Sequence, residues 1–278
     1  MDRELRDGLG CRPLPSTTCT DIRCAVLPVG AATVRLDSLA AAGDSNTLVT
    51  NYYQAGPGSL RQHAALEAAV LMMEEPVFDT LRTQEQLGYS VSMTLRNTYG
   101  VLGLRCLEYS YGCTINIYYL IFSVTVNTQA TKFTAEHVDT RIEEFFRQFL
   151  AEQLTEKAVN DATAALAKLK LRADVTLEEE VGRNWQEITS REFVWCRAER
   201  EAAILADLGL AEIRAELQQL LAGRKLSVQV VGSELPAGEE EGEEGEVELQ
   251  WLAGSELLGD PSEWRQTLKF HPVTRITK

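Results

Sequence analysis

The cleanest pattern along the chain is at Tyr89, Val91, Met93 and Leu95, which alternate with Ser90, Ser92, Thr94 and Arg96. A period of two puts the apolar set on one face of a strand, so this segment predicts a β-strand covered on one side only. Leu226, Val228 and Val230 repeat the alternation and predict a last strand ending at Gly232. Two earlier strands are expected over residues 21–36 and 47–54. Asn97-Thr98-Tyr99-Gly100 reads as a hairpin turn. Val101 and Leu102 then start a return strand that Phe122, Val124 and Val126 continue.

Elsewhere the period changes to that of a helix. Leu60, Ala64, Leu66, Val70 and Met73 form a stripe behind Ser59, a capping residue. Pro76 is expected to interrupt this helix, leaving a shorter helical stretch from Val77 to Gln84. Thr134 precedes Val138, Ile142, Phe145 and Phe149, and Thr155 precedes Ala158, Ala162, Ala165 and Leu169. Thr176 and Glu179 make a capping box ahead of Val181, Trp185 and Ile188. Further helices fit 191–206 and 210–221. Strands, then a block of helices, then a strand predict an α+β fold, a largely antiparallel sheet covered on one face by helices.

The organisation follows from composition. Residues 1–20 lack any period and read as an irregular lead-in, and 21–235 as the main domain. Residues 236–250 carry the acidic run Gly238 to Glu246, a self-repelling solvated loop, and 251–278 read as an extension packing on the domain. No apolar run approaches the roughly 20 residues that cross a bilayer, and the charged start Met1 to Asp7 lacks a signal peptide's apolar core. A cytoplasmic chain is the expectation. The formal net charge of -14 argues against nucleic acid as a partner and favours basic peptides. Six cysteines without a Cys-x-x-Cys pair are expected as free thiols.

Candidate chemistry is sparse. A hydrolytic zinc site needs two or three imidazoles around one ion. His63, His137 and His271 are all more than 70 positions apart, so no His-Glu-x-x-His signature or its inverse exists, and no metal ligand set is assigned. His63 and Glu67 stand one helical turn apart, which is too few ligands and reads as a surface pair. No Gly-x-Ser-x-Gly elbow occurs, and Cys196 with His137 rests on no motif.

The run Glu74 to Tyr89, EEPVFDTLRTQEQLGY, resembles a segment in the C-terminal half of the insulinase (pitrilysin-like) family of zinc peptidases. Asn51 to Gly56, Arg96 to Gly100, Ser123 to Lys132 and Arg183-Asn184-Trp185 narrow the resemblance to one branch of that family. It implies the last of four related α+β domains, a non-zinc-binding one that closes a substrate chamber. Zinc would belong to the N-terminal half of the full-length enzyme, and no cofactor to this chain. The partners implied are that zinc-binding half and peptide substrates; an inactive peptide- or protein-binding module is the alternative. Arg82 and Tyr89 match the Leu-Arg-Thr…Leu-Gly-Tyr motif and are implied to contact peptide near the scissile bond. A guanidinium can hold a carbonyl, and a phenol can donate to an oxyanion. The plainer readings are an ion pair of Arg82 with Glu85 or Glu75, and Tyr89 as the first residue of its strand. The chain departs from the family at 104–121, an insertion holding four of the eight tyrosines. It reads as a translated intron or a lineage-specific loop, and without it residues 101–103 would run into 122–124 as one strand.

Overall fold

The computed structural model describes residues 24–37, 46–98, 101–105, 123–129, 132–190, 192–232, 256–258 and 261–271. Within them, strands β1 (Gly30–Asp37), β2 (Asn46–Pro57), β3 (Ser90–Thr98), β4 (Val101–Arg105), β5 (Ser123–Gln129), β6 (Arg224–Val231) and β7 (Glu256–Leu258) form one sheet. Their order is β4-β3-β5-β2-β6-β1-β7. The sheet is antiparallel except that β1 runs parallel to both β6 and β7. The helices are α1 (Leu60–Val77), α2 (Ala135–Gln148), α3 (Glu156–Lys170), α4 (Leu177–Thr189), α5 (Arg197–Leu205), α6 (Leu210–Leu221) and α7 (Pro261–Thr267). The α+β expectation holds.

The main core lies where α1, α2 and α6 meet the sheet, around Val49, Tyr53, Met73, Ile142, Phe146 and Leu217. Capping explains where three helices begin. Ser59, Thr134 and Thr155 each accept a bond from a backbone N–H of the first turn. Thr176 and Glu179 form the expected capping box at α4.

Three boundaries differ from expectation. Pro76 does not interrupt α1, which runs through it to Val77 and continues as a π-helical turn, Phe78–Gln84. Proline has no N–H to reach back to residue 72 and its ring crowds that carbonyl, and the backbone widens into the π-helical turn just beyond it. β1 begins at Gly30, and residues 26–29 are not strand; residues 21–23 lie outside the described residues. α5 begins only at Arg197, because Phe193 and Cys196 have φ of 52° and 57°, which a right-handed helix cannot contain.

β4 and β5 share one strand position. Tyr53 of β2 pairs with Leu104 and its neighbour Tyr52 with Ser123. On the other side, Thr94 of β3 pairs with Arg105 and Met93 with Val124. Both ladders therefore put Ser123 where the chain eighteen positions earlier would continue the strand. The expected insertion has the same length, but the pairing of Leu104 and Arg105 places the break between residues 105 and 123.

The sense of burial differs between strands. β3 buries Val91, Met93 and Leu95 as its pattern predicts, whereas Tyr89 lies outside the strand and is exposed. β6 does the reverse: Lys225, Ser227 and Gln229 face the helices and are buried. Leu226, on the other face of β6, packs with Ala32, Val34 and Trp264 of α7. Lys225 is accommodated because Asp139 and Glu143 of α2 each lie 2.7 Å from its Nζ. Asn51 Nδ2 donates to Asp139 at 2.5 Å and the buried Tyr53 hydroxyl to Glu143. Burial alone would lower the Lys225 pKa; the two carboxylates outweigh it and hold the ammonium above its ordinary value.

Candidate functional site

Arg82 and Tyr89 sit on a segment whose alternate residues anchor it. Leu81 and Leu87 are fully buried, and the Leu87 N–H donates to the Leu81 carbonyl at 2.9 Å. Gln86 between them has φ 53°, a left-handed turn that sends the chain back into the core. Lys132 Nζ donates to the Gln86 carbonyl at 3.1 Å and so clamps that turn. Arg141 holds Glu85 through two bonds of 2.7 and 2.8 Å, a paired fork geometry.

Between these fixed points the two motif residues face outward. Arg82 is exposed, with its guanidinium carbon 4.6 Å from the Phe78 ring centroid. Glu85 is engaged by Arg141, and among the described residues no carboxylate pairs with Arg82. Tyr89 is 78% exposed just before β3. The ion-pair reading of Arg82 and the first-strand-residue reading of Tyr89 are both corrected. The segment presents five guanidinium donors and one phenol to solvent, with no hydrogen bond between them.

A second constellation was only half visible in the sequence. His63 is 4% exposed, so it does not form a surface pair with Glu67. Its Nδ1 lies 3.8 Å from Glu67 and 3.3 Å from Glu201 of α5, and neither ring nitrogen has a hydrogen-bond partner among the described residues. Donor atoms of these three residues all lie within 4.8 Å of one another. Lys170 Nζ, however, is 2.7 Å from Glu67 and 2.6 Å from Glu201. One imidazole and two carboxylates already bound to an ammonium do not fit a hydrolytic zinc, which takes two or three imidazoles and open positions. Arg197 extends the network, pairing with Glu187 and Glu192 and lying 3.5 Å from Glu201. Burial alone would raise the Glu201 pKa; His63 and Lys170 overcome it and hold it at about 2. Beside the network is a cavity of about 190 Å³ lined by Lys170, Arg183, Glu187, Cys196 and Arg197. Glu201 is 134 positions from Glu67, so no local signal joined them.

The remaining histidines lie elsewhere. His137 is exposed and stacks on Phe133 with centroids 5.1 Å apart. Its ring makes no described contact with Cys196. His271 is buried, and its backbone N–H donates to the Cys24 carbonyl at 2.9 Å.

Comparison with known proteins gives the family and the fold. Residues 68–110, which contain the anchored segment, match the family model described as "PQQ synthase PqqF-like, C-terminal lobe domain 4". The crystal structure of pitrilysin superposes on 97% of this chain and 26% of that one, with a TM-score of 0.62 at 15% identity. An inactive M16 peptidase domain from Pseudomonas fluorescens covers 80% of this chain and 48% of that one, with a TM-score of 0.56 at 14% identity. The fold is therefore that of an M16 peptidase domain.

The sequence narrows this further. Mouse nardilysin is 35% identical over 98% of this chain, which spans 23% of that protein's length. The chain is a nardilysin-like C-terminal domain of the insulinase family. It spans about a quarter of the length of such relatives. No helix among the described residues is long and apolar enough to cross a membrane.

Proposed function

We propose that this chain is a non-zinc-binding domain of a nardilysin-like metalloendopeptidase, forming part of the wall of its substrate chamber. Zinc and the hydrolytic step belong to another part of the enzyme, and this domain binds and orients peptide. The observation that carries the reading is the anchored segment 78–89. Leu81 and Leu87 are sunk in the core so that Arg82 and Tyr89 face outward, with no carboxylate partner among the described residues. Arg82 would donate hydrogen bonds to the peptide's carbonyl oxygens, and Tyr89 would donate its phenolic proton toward an oxygen near the scissile bond. The surplus of 41 acidic over 27 basic residues favours basic peptides through faster encounter.

The chain should be coexpressed with the zinc-binding N-terminal half of a relative such as mouse nardilysin, and kcat/KM measured on basic peptides. Restored cleavage that falls at least about 10-fold in Arg82→Ala and in Tyr89→Phe supports the reading, since single transition-state donors are worth that much or more. Peptide binding by the chain alone, with no activity gained, supports the alternative of an inactive peptide-binding module.

A further inference from the structure

Helix α4 is inside out. Its buried residue is Glu187, whose carboxylate accepts the Val194 N–H at 2.9 Å and pairs with Arg197. Its apolar stripe of Leu177, Val181, Trp185 and Ile188 recurs at intervals of four, four and three, and all four side chains are exposed. Leu177 is 74% and Trp185 60% exposed. The loop that follows adds Phe193 and Trp195, half exposed with ring centroids 6.3 Å apart. Phe193 holds this place with φ 52°, in the left-handed region. Several large apolar side chains on one exposed helical face exceed what an isolated domain normally leaves to water.

From these observations we infer that α4, with the Phe193–Trp195 loop, is the surface on which this domain docks against the preceding part of its full-length enzyme. The inference rests on the reading of the chain as one domain of a larger peptidase. Two features select that occupant. The matched model is a fourth domain of a C-terminal lobe, and the chain spans only 23% of mouse nardilysin, so most of such a polypeptide lies outside it. The first turn of α4 also carries Glu178, Glu179 and Glu180, all exposed. A second copy would bring the same acidic triad, whereas an apolar cleft rimmed by Lys and Arg would complement both stripe and charge.

The test coexpresses this chain with a tagged fragment of mouse nardilysin that precedes the matched region. The wild-type chain should copurify. Val181→Asp/Trp185→Asp and, separately, Leu177→Asp should reduce recovery at least tenfold. Both variants should keep the wild-type melting temperature, because the altered positions are exposed. Arg82→Ala should copurify fully, so that failure of the substrate-contact reading is separable from failure of this one. Undiminished recovery of the stripe variants, or no capture of the wild-type chain, overturns the inference. So does a dimer of the chain alone, by sedimentation, that the stripe variants dissolve.

Discussion

Strands β3 and β6 have the same alternating sequence pattern and opposite senses of burial. β3 turns Val91, Met93 and Leu95 toward the helices. β6 turns Lys225, Ser227 and Gln229 toward them. The difference lies in what stands opposite. β3 meets α1, whose buried face is mainly apolar, whereas β6 meets α2 at Asp139 and Glu143. A period of two fixes which residues share a face; only the neighbouring layer decides which face goes in. Helix α4 repeats the lesson, with Glu187 inward and its apolar stripe outward.

The sharpest way to break the comparison is to remove each strand's central anchor. Lys225→Ala strands two carboxylates, one of them fully buried, and should cost about 3–5 kcal/mol of unfolding free energy in urea titrations. Met93→Ala removes only packing and should cost about 2–4 kcal/mol in the same measurement. If Lys225→Ala proves the milder change, the ion cluster under β6 is not what sets its orientation.

Acid should expose the polar anchoring around α4 and α5 next. Glu201 is held at about 2, below its ordinary 4.5. Its contribution is therefore fully present above pH 4.5 and is lost as pH falls from 4.5 toward 2. The shift corresponds to at most about 3 kcal/mol. Glu201→Gln should flatten the pH dependence of unfolding free energy in that window, whatever its constant cost. An unchanged slope would remove Glu201 from the account of acid sensitivity.

The smallest effect is expected from the interrupted strand between β3 and β2. Deleting residues 105–122 joins Leu104 to Ser123 in the register both neighbours already hold. Unfolding free energy should change by less than about 1 kcal/mol, since no described ladder pair but that of Arg105 is lost. A loss of several kcal/mol would mean that the segment carries stability of its own.

Much of the candidate site was legible beforehand. The Leu-Arg-Thr…Leu-Gly-Tyr motif singled out Arg82 and Tyr89, and the structure places both outward on buried leucines. What was not legible was their freedom, because the competing partner Glu85 is removed by Arg141, 56 positions on. The His63–Glu201–Lys170 network was hidden for the same reason, as was the rescue of Lys225 by α2.

The sequence by itself determined the spacings: strand and helix periods, the caps at Ser59, Thr134, Thr155 and Thr176, and the family motif. These depend on interactions within a few residues, so local order suffices to set them. Tertiary structure alone decided which face each element buries, that α1 runs on through Pro76 while α5 starts only after Cys196, and which charges meet. Those choices depend on the desolvation and pairing of groups brought together from distant parts of the chain, and a linear pattern carries no term for that.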